Sequence, residues 1–110
     1  MNWINLVSED GLTKIKELSY QQPQLIFKHS TRCSISVVAK NRLENTPTPT
    51  GVDFYYLDLL NHRAISAKIA EDFNVYHESP QILLIKNGEC VYDESHSGIR
   101  MEDIVEEVIK

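Results

Sequence analysis

The stretch Val52-Asp53-Phe54-Tyr55-Tyr56-Leu57-Asp58-Leu59-Leu60 is rich in β-branched and aromatic residues and places apolar side chains on both alternating faces. Successive side chains of a strand point to opposite sides of its sheet, so a strand wetted on one side alternates in polarity. A strand apolar on both sides needs a cover on each. Residues 52–60 therefore predict a central strand in a sheet that carries helices on both faces, and a chain of 110 residues is long enough to build that core as one domain spanning residues 1–110.

The flanking segments supply the other layers. Ser8 precedes Glu9 and Asp10, acidic residues suited to a helix N-terminus, and Leu12, Ile15 and Leu18 follow at helical spacing, which predicts a helix over about residues 8–20. Gln21-Gln22-Pro23 ends it, and Leu25-Ile26-Phe27 reads as a short buried strand finishing near His29. After Ser30-Thr31-Arg32-Cys33, the residues Ile35, Val38, Ala39, Arg42 and Leu43 recur with helical periodicity until the polar turn at residues 45–51. Asn61 is placed to cap another helix, in which Ile65, Ile69 and Phe73 recur every four residues and which ends near Asn74. Pro80 leads into Ile82-Leu83-Leu84-Ile85, and Asn87-Gly88 is a strong hairpin signal before Glu89-Cys90-Val91-Tyr92. Met101, Ile104, Val105, Val108 and Ile109 complete a final amphipathic helix, whose acidic residues Glu102, Asp103, Glu106 and Glu107 read as a solvated face. Strand-helix-strand implies a right-handed parallel crossover, and the hairpin adds two antiparallel strands. The expected fold is α/β and thioredoxin-like, with a mixed four-stranded central sheet flanked by helices.

The net charge of −5 and the scattered Lys and Arg residues argue against nucleic acid as a partner. No apolar run approaches the length of a membrane span, and Met1-Asn2-Trp3-Ile4 does not open like a signal peptide, so the expected setting is cytoplasmic, with no membrane partner. Two cysteines in such a chain are too few for a disulfide framework; if they matter, they matter as thiols.

Cys33 falls at a strand-to-helix junction. There it faces unpaired backbone N–H groups and the positive end of the helix dipole, which favour thiolate over thiol, and Arg32 adds positive charge. The position three residues on, where a dithiol redoxin carries its resolving cysteine, is Ser36. Exchange therefore stops at a mixed disulfide on Cys33 until an external thiol attacks it, which is a monothiol design that requires a low-molecular-weight thiol or a partner redoxin. Ser79-Pro80, just before a hairpin strand, stands where thioredoxin-fold proteins place a cis-proline opposite the active cysteine, and its backbone is suited to pair with an incoming disulfide in strand fashion. Cys90, inside a hairpin strand, reads as a structural side chain. His29 and His77 have two readings, as neighbours of the thiolate or as supports of strand ends. Zinc is disfavoured because no second close Cys/His pair joins His29 and Cys33, so no metal and no bound cofactor are expected. An iron–sulfur carrier of the monothiol glutaredoxin type has glycine after the cysteine, where this chain has Ser34, and Arg42 lies too far along the helix for a phosphatase or arsenate-reducing loop.

Taken together, His29-Ser30-Thr31-Arg32-Cys33-Ser34-Ile35-Ser36 and His77-Glu78-Ser79-Pro80-Gln81 resemble the two motifs of the monothiol bacilliredoxin-like family of the bacillithiol system, and the resemblance extends over essentially the whole chain. It implies a thioredoxin-fold oxidoreductase whose single motif cysteine, Cys33, is the nucleophile that removes bacillithiol from oxidised protein cysteines. Bacillithiol is then the co-substrate and bacillithiol-modified proteins are the partners. Thr31, Arg32, Ser34, Ser36, Ser79 and Pro80 are the implied substrate-binding residues. The family usually has proline directly after the cysteine; Ser34 supplies an additional N–H near the sulfur, which implies a reactivity different in degree. The alternative from another class is a non-catalytic redox sensor or adaptor that holds a modification on Cys33 instead of passing it on.

Overall fold

A computed structural model describes all residues, 1–110. The order of elements is β1 (Ile4–Asn5), α1 (Glu9–Leu18), β2 (Gln24–His29), α2 (Ser34–Glu44), β3 (Asp53–Asp58), α3 (Arg63–Phe73), β4 (Gln81–Lys86), β5 (Glu89–Ser95), a 3-10 turn (His96–Gly98) and α4 (Met101–Ile109). The strands form one sheet in the order β1-β3-β2-β4-β5. β2 runs parallel to β3 and antiparallel to β4, and β4 and β5 are the expected hairpin. Five strands replace the expected four, because Ile4 and Asn5 pair in parallel with Tyr55 and Tyr56. A two-residue strand is too short for any periodicity to announce it.

The centre of the sheet also differs from expectation. β2 is the middle strand and is buried from end to end, whereas β3 lies one place from the edge and keeps Asp53, Tyr56 and Asp58 half-buried. Both strands are covered on two faces, as the doubly apolar run requires, but β1 shields only part of β3. One face packs Ile26, Leu57 and Leu83 under α1 and α3, with Leu12, Ile15, Ile65 and Ile69. The opposite face packs Leu25, Phe27, Ile82 and Leu84 under α2 and α4, with Ala39, Leu43 and Ile104. Trp3 closes the second face by stacking on Phe27 at 5.5 Å and donating its indole N–H to Glu44 at 2.7 Å.

The helix ends follow local chemistry. Ser8 is extended (φ −150°) and its hydroxyl accepts the Gly11 N–H at 3.1 Å, which satisfies one donor of the first turn of α1. Ser8→Ala is expected to cost about 1 kcal/mol of stability in urea unfolding; a change near zero would show that water serves that donor equally well. α3 does not start as expected. His62 is its N-cap and makes no side-chain cap, while the Asn61 amide turns back to Asp58 at 2.8 Å. The helix ends on Asn74 in the left-handed conformation (φ 54°), a geometry that asparagine tolerates.

Candidate active site

Cys33 is the N-cap residue of α2, with extended backbone (φ −107°, ψ 118°). Its carbonyl accepts the Val37 N–H at 3.1 Å and opens the helix, while its own N–H closes a turn onto Ser30 at 3.2 Å. The thiol makes no side-chain cap, the first turn of α2 carries no acidic residue, and the cysteine is free and half-buried. A nucleophile here sits at the positive end of a helix with no carboxylate in that first turn to oppose a thiolate. Thr31, Arg32 and Ser34 surround it, all exposed.

Ser36 lies beneath the site instead of on its surface. It is fully buried, and its hydroxyl accepts the Ser30 N–H at 3.0 Å and meets His29 Nδ1 at 2.7 Å. His29 is buried between Phe27 and Tyr56, with ring centroids 5.6 and 5.4 Å away, and burial, then the nearby Lys40 ammonium, lower its pKa. Both effects disfavour the charged imidazole. Ser36 and His29 tie the end of β2, the turn and the first helical turn together, so they hold the cysteine without presenting polar atoms to a ligand.

The Ser79-Pro80 peptide is cis, and the Pro80 carbonyl accepts the His96 N–H at 3.0 Å. Pro80 is buried and Ser79 half-buried. The Ser79 hydroxyl is a buried polar atom without a hydrogen-bond partner.

The periodicity in α2 misassigns its faces. Ser36, Ala39 and Leu43 point inward, whereas Ile35 is 52% exposed and Val38 54%. With Ser34, Ala39, Arg42, His96 and Ser97 they line a shallow groove of about 190 Å³ next to the cysteine. A larger hollow of about 510 Å³ lies farther along α2, where Arg42 and Thr46 face Arg100 and Met101 of the C-terminal segment.

Cys90 is remote from this chemistry. It packs against the core on the α1/α3 side, its thiol contacts the Tyr92 carbonyl at 3.4 Å, and burial pushes its pKa up to about 11. His77 is exposed and does not resemble His29: its Nδ1 lies 3.3 Å from Lys28 Nζ and 3.2 Å from the Ser66 hydroxyl. Lys28 is a residue that the sequence reading passes over, although a lysine inside a strand buried on both faces is itself a signal.

These features have counterparts in known proteins. A model of the family described as Monothiol bacilliredoxin BrxC matches residues 4–104, which include both the Cys33 and the Pro80 motifs. The chain belongs to the monothiol bacilliredoxin family. A solved structure described as a candidate oxidoreductase with a thioredoxin fold is 31% identical, with 94% of this chain and 90% of that one covered at a TM-score of 0.79. Thioredoxin from Malassezia sympodialis is 17% identical over 98% of this chain and 89% of its own, at a TM-score of 0.72. Thioredoxin from Fasciola hepatica is 18% identical over 96% and 95%, at 0.71. At those identities the thioredoxins establish the fold alone, while the family match and the 31% identical structure support a thiol redox role. No helix of this bacilliredoxin is long and apolar enough to cross a membrane.

Proposed function

We propose that this bacilliredoxin is a cytoplasmic monothiol oxidoreductase that removes bacillithiol from oxidised protein cysteines. The observation that carries this reading is the half-buried Cys33 thiol at the start of α2, with Ser36 in the place of a resolving cysteine and Cys90 half-buried against the core of the other face. The Cys33 thiolate attacks the bacillithiol sulfur of a protein mixed disulfide; the protein sulfur leaves as a thiolate and takes a proton from solvent. Bacillithiol is now disulfide-bonded to Cys33. A second thiolate, from bacillithiol or a partner redoxin, attacks the bacillithiol sulfur and releases Cys33. Each step exchanges one disulfide for another, so no external reductant is needed until the final disulfide is reduced elsewhere.

The exposed Ile35 and Val38 offer an apolar landing surface for a protein substrate. Burying an isoleucine is worth roughly 1.5–3 kcal/mol, so Ile35→Ser is expected to slow transfer from a modified protein about tenfold and to affect a small mixed disulfide much less. Equal effects on both would remove the landing surface from the proposal.

Intact mass spectrometry of the protein after incubation with a bacillithiol-modified test protein, beside a glutathione-modified control, tests the reaction. The expected result is gain of one bacillithiol mass on Cys33, release of the free test thiol, and many turnovers when a regenerating thiol is supplied. Stoichiometric retention without turnover would favour a sensor, and no transfer would overturn the catalytic reading.

A further inference from the structure

Lys28 has no exposed surface, yet no carboxylate pairs with it. Its Nζ donates to the Ser66 carbonyl at 3.2 Å and lies 3.3 Å from His77 Nδ1. The third hydrogen has no acceptor within the chain. Two acids next to its neighbours in the chain are engaged elsewhere: Asp58 accepts from the Leu60 N–H and the Asn61 amide, and Glu78, beside His77, lies 3.6 Å from His96. A buried ammonium without a counter-ion is costly, and a fold retains one where something else repays the cost.

A hollow of about 310 Å³ is lined by Leu59, Arg63, Ser66, Ala67 and His77, and Lys28 lies behind Ser66 and His77 without lining it. Two of these five residues are the ones that touch Lys28 Nζ. Arg63 is exposed on the rim at the first residue of α3, a helix whose N-terminal turn has neither an acidic residue nor a side-chain cap. Every charge that faces the hollow is thus positive or neutral, and the helix end adds to the same sign. The hollow also stands at the right end of the sheet. The Leu59 N–H donates to the His29 carbonyl at 3.0 Å, where β2 runs out into the Cys33 turn, and His77 is three residues from Pro80.

We propose that this hollow binds a carboxylate of the small thiol that Cys33 carries, with the Lys28 ammonium at its back and the Arg63 guanidinium at its rim. The inference rests on the function proposed above and deepens it, since it states which small thiols the site prefers. Lys28 supplies a fixed point charge in a desolvated position and Arg63 a planar fork at the mouth, a pairing suited to an anionic oxygen group and unfavourable to a cationic one. Burial lowers the Lys28 pKa to about 8, which leaves the ammonium charged at pH 7.

The test uses one uncharged test peptide whose single cysteine is capped, as a mixed disulfide, with 3-mercaptopropionate, 2-mercaptoethanol or cysteamine. Rates of cap transfer to Cys33 are read by mass spectrometry and divided by the rates with a free neutral thiol, which removes the intrinsic reactivity of each cap. The wild type is expected to prefer the carboxylate cap over the neutral one about tenfold and to disfavour the amine. In Lys28→Met the ratio falls to near one, and in Arg63→Gln it falls part of the way. A purely structural role for Lys28 would slow all caps alike and leave the ratio unchanged. A wild-type ratio near one overturns the carboxylate site while the exchange function stands. If no cap is transferred, the exchange function fails, and succinate titration of the Cys33→Ser variant, followed by the His77 ring resonances, decides the site separately. A saturable shift that Lys28→Met abolishes supports the site; no shift overturns it.

Discussion

Cys33→Ser is expected to abolish transfer, by more than roughly a thousandfold, without loss of stability. The loss follows because no other group can take over. With its pKa pushed up to about 11, Cys90 is thiolate in only about one molecule in ten thousand at pH 7, and it is half-buried within β5. Stability is preserved because Cys33 contributes no side-chain cap to α2, whereas serine is among the preferred N-cap residues and its oxygen can accept an N–H of the first turn. The variant should unfold at the same urea concentration as the wild type or slightly above it, so lost activity cannot be ascribed to misfolding. The measurement is single-turnover transfer from a modified protein together with urea unfolding. Residual transfer above a tenth of the wild-type rate, with the cap found on Cys90, would place the chemistry on the other cysteine.

Lys28→Met should make the protein more stable at pH 7, by about 2 kcal/mol or roughly 8 °C in Tm. Burial lowers the Lys28 pKa from 10.5 to about 8, a penalty of roughly 3 kcal/mol on the charged form. Methionine has a similar length and no charge to desolvate, while the lost donation to the Ser66 carbonyl and His77 costs about 1 kcal/mol in return. The pH dependence has a definite sign. Because the folded pKa lies below the unfolded one, the unfolded chain binds the proton more strongly, and wild-type stability rises with pH between about 8 and 10.5. Below pH 8 the gap between variant and wild type is constant; toward pH 10.5 it closes. Urea unfolding of both proteins under reducing conditions at pH 7 and pH 10 measures it. A variant less stable than the wild type at pH 7 would mean that the buried ammonium is compensated within the fold, and it would remove the reason to seek an anion in front of it.

Much of this protein was legible from local chemistry. Ser8 as a cap, Asn87-Gly88 as a hairpin, Asn74 as a helix end and Cys33 at the start of α2 each depend on a few consecutive residues, and the structure has each in its expected place. The motif around Cys33 and the one ending in Pro80 together identified the family, because they lie far apart in sequence and agree. What periodicity conveys is which residues share a face, and it does not tell which face is covered. α2 therefore reads equally well with Ile35 and Val38 turned inward, and only its docking on β2 and α4 selects Ser36, Ala39 and Leu43 for burial and leaves the apolar pair beside the thiol. The same limit applies to β3, whose two apolar faces require two covers but do not say which strand is the middle one; that was decided when β4 took the free edge of β2. Lys28 was settled last and least locally. Its cost arises from burial under α3, and its partners, Ser66 and His77, are separated from it by 38 and 49 residues and brought to it only by the tertiary structure.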